Sequence, residues 1–190
     1  MPLGGIEIET AILFADIRGS TALAEQLGPK AYAEALNRFY QAATDILVRC
    51  DATIDKLIGD EVMAFFVPAF VGRDFKQRAV EAGQALLLRL GYADSREAWL
   101  PVGVGIDAGV AFVGNVGGTD YVDFTVVGDP VNMAKRFQDA ASPGELLVGE
   151  TAFAAVADRY ANCERRMIRV QGKDTPIAVR SVPLAVSAAA

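Results

Sequence analysis

Apolar residues follow two different spacings along this chain of 190 residues. Short, nearly continuous apolar runs predict strands. These runs lie at residues 9–17, 53–57, 62–67, 102–106, 110–113 and 124–127. Between them, apolar residues recur every three or four positions at 29–47 and 74–90, which predicts two long helices.

The first four strands and the two long helices come in the order βαββαβ, which is the order of the ferredoxin-like split unit. Later segments predict a helix from 130 to about 140, a strand at 145–148, a helix at 151–160 and strands at 167–170 and 176–182. We expect an α+β fold with this ferredoxin-like core and extra C-terminal strands and helices. Since no linker or repeat interrupts the pattern, one domain should fill residues 1–190, with its core at about 8–182 and a tail at 183–190.

Turn and cap residues refine this outline. Gly59 should form the turn between the strands at 53–57 and 62–67, and Gly109 should lie near a second hairpin turn, between 102–106 and 110–113. Ser20 should cap a short helix that ends at residue 27, before Pro29 opens the longer one.

Composition excludes several classes of function. The net charge of −6 argues against nucleic-acid binding, which needs a basic face. The longest apolar run, 62–71, is too short to span a bilayer, and no signal peptide is recognisable, so we expect a cytoplasmic protein without a membrane span. Cys50 and Cys163 have no metal-like spacing and should be buried free thiols. Because the chain has no histidine, imidazole bases, histidine metal ligands and Ser-His-Asp triads are excluded.

Two carboxylates lie where predicted strands end or turn. Asp16 ends the apolar run at 9–17, and Asp60 follows Gly59 in the first hairpin turn. Carboxylate oxygens are the ligands that hard divalent cations such as Mg²⁺ prefer. Glu61 should point to the opposite side of an extended chain from Asp60, and we interpret it as a solvated charge.

An amide and a guanidinium follow at helical spacing. Asn132 and Arg136 are four residues apart, so one helix face would present both. Together with a pair of metal-binding carboxylates, these are the parts of a phosphoryl-transfer site.

Three sequence blocks carry a family resemblance: FADIRGST at 14–21, DKLIGDEVMAFF at 55–66 and DFTVVGDPVNMAKR at 123–136. In this order they resemble the catalytic domain of the class III nucleotidyl cyclases, bacterial stand-alone type. The segment GVGIDAGVAFVGNVG at 103–117 is also similar to the glycine-rich hairpin of that family.

The resemblance implies a role for each matching residue. Asp16, Asp60 and the backbone carbonyl of Ile17 would bind two divalent cations, Mg²⁺ or Mn²⁺. Asn132 would position the ribose ring oxygen, and Arg136 would stabilise charge on the α-phosphate.

Base and phosphate recognition are implied in the same way. Lys56 and Thr125 would read the base and favour adenine, although a threonine hydroxyl can either accept or donate a hydrogen bond. Lys173 would contact the terminal phosphates. Tyr121 departs from the arginine found there in many bacterial relatives, and Ser20 stands where many have phenylalanine.

The implied function is an adenylate cyclase that converts ATP to 3′,5′-cyclic AMP and pyrophosphate. In the family, the metal aspartates of one chain face the base and ribose readers of another, so a head-to-tail homodimer is expected. Two alternatives stay open: a cyclase that prefers GTP or a pyrimidine triphosphate, and a catalytically weak nucleotide-binding regulatory domain.

Overall fold

The computed structural model describes residues 4–92, 98–118, 121–170 and 173–184. In these residues the strands are Gly5–Ile17 (β1), Thr53–Ile58 (β2), Glu61–Phe66 (β3), Val102–Gly117 (β4), Val122–Val127 (β5), Leu146–Gly149 (β6), Glu164–Ile168 (β7) and Ile177–Ser181 (β8). The helices are Ser20–Arg49 (α1), Pro68–Val71 (α2), Phe75–Arg89 (α3), Asp129–Ala140 (α4) and Glu150–Phe153 (α5), with a 3₁₀ turn at Ala157–Arg159.

All these strands join one sheet, in the order β2-β3-β1-β4-β6-β8-β7, and β5 pairs with β4. The first four form the antiparallel ferredoxin-like core, whereas β6 adds to β4 in parallel. The structure therefore confirms the α+β fold, the ferredoxin-like core and the extra C-terminal elements.

Strand β1 lies at the centre and is covered on both faces. Leu13 and Ile17 belong to the core beneath α1 and α3, whereas Ile12 and Phe14 pack in a second cluster on the other face. Strands buried on both faces read as continuous apolar runs, which explains the sequence pattern that ends at Asp16.

The predicted second hairpin is wrong. Val102–Gly117 is one continuous strand, and Gly109 pairs with Thr10 of β1 in its middle. A Cβ atom at Gly109 would lie 2.8 Å from Cγ of Pro130, so this glycine permits close helix packing and does not form a turn. The hairpin closes later, where the Gly118 N–H donates to the carbonyl of Tyr121 and β5 returns along β4.

Two helix predictions also need correction. Gly19, with φ of 66°, precedes α1, and no side chain caps that helix, so Ser20 is its first residue and not its cap. The predicted helix at 151–160 is only Glu150–Phe153, because the chain then turns to bring β7 beside β8. The break before Pro29 is confirmed as a kink at Gly28, with φ of 75°.

Helix α4 lies unusually close to β4. A Cβ atom at Gly105 would lie 2.6 Å from Cα of Gln138 and nearer still to two backbone atoms of the helix. Glycine at this position therefore fixes the depth at which α4 sits on the sheet.

The helices and the cysteines bear on the predictions made from composition. No helix in the described ranges is long and apolar enough to cross a bilayer. Both cysteines are free, but Cys50 is half-buried, whereas Cys163 is buried as predicted.

Candidate active site

The structure brings Asp16 and Asp60 to one edge of the central sheet. Asp16 pairs with Glu61 in the β1–β3 register, and the carbonyl of Asp60 accepts from the N–H of Ile17 at 3.4 Å. Burial raises the pKa of Asp16; a hydrogen bond from Arg18 lowers it in part, and the charge of Asp60 raises it further. The charge of Asp60 therefore reaches the carboxylate of Asp16.

Asp16 is held by a cation and an amide from its own chain. Nη2 of Arg18 donates to Oδ2 of Asp16 at 2.7 Å, and Nε2 of Gln138 donates to the same oxygen at 3.4 Å. The other oxygen, Oδ1, is buried and has no hydrogen-bond partner among the described residues.

These observations fit a divalent cation at this edge. An orphaned carboxylate oxygen beside a second carboxylate supplies hard oxygen ligands. Within the described ranges, no group of three or more acidic or cysteine side chains forms a metal cluster, so Asp16 and Asp60 stand as a pair. Ile17 ends β1 with its side chain buried in the core, and the role of its carbonyl stays a prediction.

Glu61 is not the solvated charge that its position suggested. Its carboxylate lies 2.7 Å from Nζ of Lys135, and its side chain is only 15% exposed. Lys135 also contacts Asp139 and the amide oxygen of Gln138. Glu61 therefore helps to fasten α4 beside the aspartate pair.

Sequence reasoning missed the residue that supports the Asp60 turn. The hydroxyl of Tyr40, on α1, donates to the carbonyl of Gly59, which has φ of 60°. Burial raises the pKa of Tyr40, and the charge of Asp60 raises it further. The apolar spacing of α1 identified Tyr40 as a helix residue, but no local signal linked it to this turn.

Lys56 and Thr125, to which the family resemblance assigns base reading, are in contact in the structure. Nζ of Lys56 lies 3.2 Å from Oγ1 of Thr125, although the two residues are far apart in sequence. Two acidic residues that the sequence analysis missed complete the cluster: Asp55 contacts both members, and Oδ2 of Asp123 lies 2.5 Å from the ammonium. Burial lowers the pKa of Lys56, but Asp123 and Asp55 outweigh it and the net shift is upward.

Asn132 and Arg136 line one face of α4, as their spacing predicts. With Arg169 and Val170 they border an open cavity of about 430 Å³. Lys135 borders this cavity as well, whereas Gln138 contacts Asp16. Arg169 is a second arginine in the lining of this cavity, beside Arg136, and it was not predicted from the sequence.

Lys173 lies in a different place from Asn132 and Arg136. Its Nζ is 3.1 Å from both carboxylate oxygens of Asp129 at the start of α4. It borders a separate cavity of about 310 Å³, together with Asp107. Burial raises the pKa of Asp107 to about 7; the Ala108 N–H lowers it in part and the charge of Asp129 raises it.

The chain thus contains a carboxylate pair at the end of β1 and in the β2–β3 turn, a lysine–threonine pair on β2 and β5, and an amide–guanidinium pair on α4. A family model, that of the adenylate and guanylate cyclase catalytic domain, matches residues 7–179. The chain belongs to this family. The recognition of a class III cyclase domain from the sequence blocks is confirmed.

Relatives of this cyclase domain include proteins of much greater length. An uncharacterized protein of Mycobacterium bovis is 31% identical over an alignment of 179 residues, and this alignment covers 92% of this chain and 32% of that protein. An uncharacterized protein of Mycobacterium tuberculosis gives the same values. The chain spans about a third of the length of these curated relatives.

Solved cyclase structures match over nearly the whole domain. The guanylyl cyclase Cya2 gives a TM-score of 0.84 at 27% identity, over 94% of this chain and 93% of that chain. The adenylyl cyclase CyaB from P. aeruginosa gives 0.79 at 28% identity, over 95% and 97%. The similar structures thus include both a guanylyl cyclase and an adenylyl cyclase. Structural similarity alone therefore does not distinguish ATP from GTP as the substrate.

Proposed function

We propose that this domain converts a nucleoside triphosphate, preferably ATP, to its 3′,5′-cyclic monophosphate and pyrophosphate. The observation that carries the proposal is the contact of Lys56 with Thr125 in a chain that also pairs Asp16 with Asp60 and Asn132 with Arg136. Each pair joins residues that the cyclase resemblance selects, and two of the pairs join distant segments of the chain.

In the proposed reaction the ribose 3′-oxygen bonds to the α-phosphorus and the bond from that phosphorus to the β-phosphate oxygen breaks. The 3′-hydroxyl proton leaves to water, and pyrophosphate departs. Asn132 orients the ribose, and the Arg136 guanidinium stabilises the charge that grows on the α-phosphate. Asp16, Asp60 and the Ile17 carbonyl would hold two divalent cations, Mg²⁺ or Mn²⁺, which when bound acidify the 3′-hydroxyl and offset phosphate charge.

The arrangement within one chain supports a homodimer with shared sites. On α4, Gln138 contacts Asp16, whereas Asn132 and Arg136 line a cavity beside Arg169. Among the described residues, the side-chain contacts of Asp16 are with Arg18 and Gln138, and none is with Asn132 or Arg136. We propose that Asn132 and Arg136 serve the carboxylates of a second copy in a head-to-tail dimer with two equivalent sites.

Exposed apolar side chains near the base-reading cluster supply a surface for that second copy. They lie on β2 and on the hairpin of β4 and β5: Leu57, Ile58, Val116, Val122, Phe124 and Val127 are each 40% exposed or more. Large apolar side chains grouped in this way are typical of interaction surfaces.

A cytoplasmic location follows from the same proposal. The substrate and the divalent cations are present in the cytoplasm, and the free thiols of Cys50 and Cys163 suit a reducing compartment.

GTP is the second candidate substrate, because the guanylyl cyclase Cya2 shares the fold at 27% identity. A threonine in the base pocket can also donate to a carbonyl if its hydroxyl is free to rotate.

The deciding experiment is incubation of the purified protein with ATP, GTP, CTP and UTP separately, in the presence of Mn²⁺, followed by chromatography for cyclic products. Cyclic AMP as the dominant product, abolished by Asp60→Ala, would support the proposal. Another dominant cyclic nucleotide would overturn the base preference. Binding of nucleotide without any product would instead favour a regulatory domain.

A further inference from the structure

A buried carboxylate, that of Asp55, contacts both Lys56 and Thr125. The side chain of Asp55, the neighbour of Lys56 in β2, has no exposed surface. Its Oδ2 lies 2.9 Å from Oγ1 of Thr125, and both of its carboxylate oxygens lie 3.3 Å from Nζ of Lys56. A carboxylate placed so deeply is retained only where its hydrogen bonds are satisfied, and these two contacts satisfy it.

An irregularity in β2 explains how Asp55 and Lys56 reach the same partner. Neighbouring residues of a regular strand point to opposite faces. The register of β2 against β3 shifts between Ile54 and Lys56, which leaves Asp55 without a paired residue. A bulge of this kind redirects side chains, and here both Asp55 and Lys56 contact Thr125.

These contacts leave the Thr125 hydroxyl no choice of direction. The Asp55 carboxylate can only accept a hydrogen bond, and the Lys56 ammonium can only donate one. The hydroxyl proton must therefore point to Asp55, while one lone pair of Oγ1 receives Lys56. Toward a ligand, Thr125 presents its remaining lone pair and acts as an acceptor.

The donors of the cluster are engaged within it, and the groups left free toward a ligand are acceptors. The Lys56 ammonium has three hydrogens, and it contacts Asp123, Asp55 and Thr125. Asp123 is 30% exposed and adds carboxylate oxygens at the mouth of the cluster. A base that enters here meets acceptors, which suit an exocyclic amino group and oppose a carbonyl at the same position.

We propose that Asp55 is a specificity-determining positioning residue, which holds the Thr125 hydroxyl as an acceptor and thereby selects adenine over guanine. The inference rests on the proposed function and deepens it. Adenine has an amino group at the ring position where guanine has a carbonyl oxygen, so a locked acceptor favours ATP. An amide in place of the carboxylate could donate to Oγ1 and free the hydroxyl proton to meet the carbonyl.

The test is the ratio of kcat/KM for ATP to kcat/KM for GTP in the full chain with Mn²⁺. We expect Asp55→Asn to lower the wild-type ratio at least about tenfold, which is the usual effect of one misdirected hydrogen bond in a pocket. Both kcat/KM values are measured on the same preparation and scale with the same fraction of correctly folded enzyme, so partial misfolding does not change their ratio. Asp158→Asn, an exposed carboxylate on the 3₁₀ turn, is the matched control and should leave it unchanged.

A double-mutant cycle separates Asp55 from a general effect on the pocket. Thr125→Val should also reduce the ratio, and Asp55→Asn should then change it no further. An unchanged ratio in Asp55→Asn, or an equal effect with and without Thr125, would overturn the proposal. If Asp55→Asn does not fold, Thr125→Ser should keep the ratio and Thr125→Val should lose it; equal ratios would refute the acceptor role.

A parallel calorimetric measurement of ATP and GTP binding keeps the two proposals distinguishable. A Kd ratio that shifts in Asp55→Asn while no variant forms a cyclic product would support the role of Asp55 and refute the cyclase activity. Formation of a cyclic product, with a ratio of ATP to GTP preference that Asp55→Asn does not change, would support the cyclase activity and refute the role of Asp55.

Discussion

Nη2 of Arg18 lies 2.7 Å from Oδ2 of Asp16, so a fixed cation of the protein occupies one oxygen of the carboxylate assigned to metal binding. The pairing is imperfect. Oδ1 of Asp16 and Nε of Arg18 are both buried without a partner among the described residues. A divalent cation that binds Asp16 must therefore compete with the charge of Arg18 and would satisfy an oxygen that Arg18 leaves unpaired.

Removal of that competing charge should tighten metal binding. We expect Arg18→Gln to lower the Kd for Mn²⁺ by about threefold to tenfold, since a positive charge within a few ångströms opposes a bound cation. The Kd can be measured by electron paramagnetic resonance during Mn²⁺ titration. Arg18→Lys keeps the charge and should change the Kd little, and weaker binding in Arg18→Gln would contradict the competition.

Shared sites make a prediction about mixed variants. Asp60→Ala and Asn132→Ala should each reduce cyclase activity by about 10²-fold or more. In a heterodimer of the two variants both lesions fall in one site, and the other site is intact. After full subunit exchange, an equal mixture should recover about a quarter of wild-type activity, since half of the dimers carry one good site of two.

The control for this mixture is Asp16→Ala with Asp60→Ala, whose lesions lie in the same half of the site. Here each site of the heterodimer loses one aspartate, so activity should stay low. Recovery in the control, or none in the first mixture once exchange is verified by mass spectrometry, would refute the shared-site arrangement.

The cation that binds the terminal phosphates can be identified by comparing two residues. The resemblance assigns this role to Lys173, but its ammonium lies 3.1 Å from Asp129, in a cavity separate from Asn132 and Arg136. Arg169 lines the same cavity as those two residues. We expect Arg169→Gln to raise KM for the triphosphate about tenfold and Lys173→Gln to raise it less than threefold. Initial rates over a range of substrate concentrations decide this, and the opposite ranking would favour Lys173.

Short-range sequence patterns selected part of the candidate site. Asp16 and Asp60 follow apolar strands, and Asn132 and Arg136 share one helix turn, so short-range pattern was sufficient to select them. The family blocks added Lys56 and Thr125, which meet only in the folded chain.

Other features could not be predicted, because they depend on contacts between distant segments. Asp55 was not predicted because regular strand alternation would direct its side chain to the opposite face of the sheet from Lys56. The bulge between Ile54 and Lys56 brings the two side chains to the same partner. Glu61 looked solvated because its partner, Lys135, belongs to a later helix. Gly109 looked like a turn because the sequence does not show that Pro130 packs against it.

The depth at which α4 sits should be sensitive to a single methyl group. Gly105→Ala would place a Cβ atom 2.6 Å from Cα of Gln138 and closer still to backbone atoms, which cannot rotate away. We expect a loss of about 3 kcal/mol or more in the free energy of unfolding, measured by urea denaturation. At Gly118 a Cβ atom meets no described atom within 4 Å, and Gly118→Ala should stay within about 0.5 kcal/mol of wild type. Equal effects at both glycines would refute the close packing.

Asp107 makes stability depend on pH in a direction opposite to that of a salt-bridged carboxylate. Burial raises its pKa from 3.8 to about 7, so the folded chain keeps a proton there that the unfolded chain releases near pH 4. The resulting destabilisation is absent below pH 4, grows as the pH rises, and is complete above pH 7. Asp107→Asn never ionises and should be more stable than wild type at pH 8, by about 1–3 kcal/mol when partial exposure is allowed for.

Thermal unfolding of both proteins at pH 8 and pH 5 measures this dependence. The gain in Tm of Asp107→Asn should shrink by more than half at pH 5, since most of the destabilisation develops between pH 5 and pH 7. Any change in packing or hydrogen bonding caused by the amide is the same at both pH values and cancels from the comparison. The exposed Asp158→Asn serves as the control, with no change in its Tm difference from wild type between the two pH values. A gain for Asp107→Asn that is equal at pH 5 and pH 8 would show that Asp107 does not hold its proton in the folded chain.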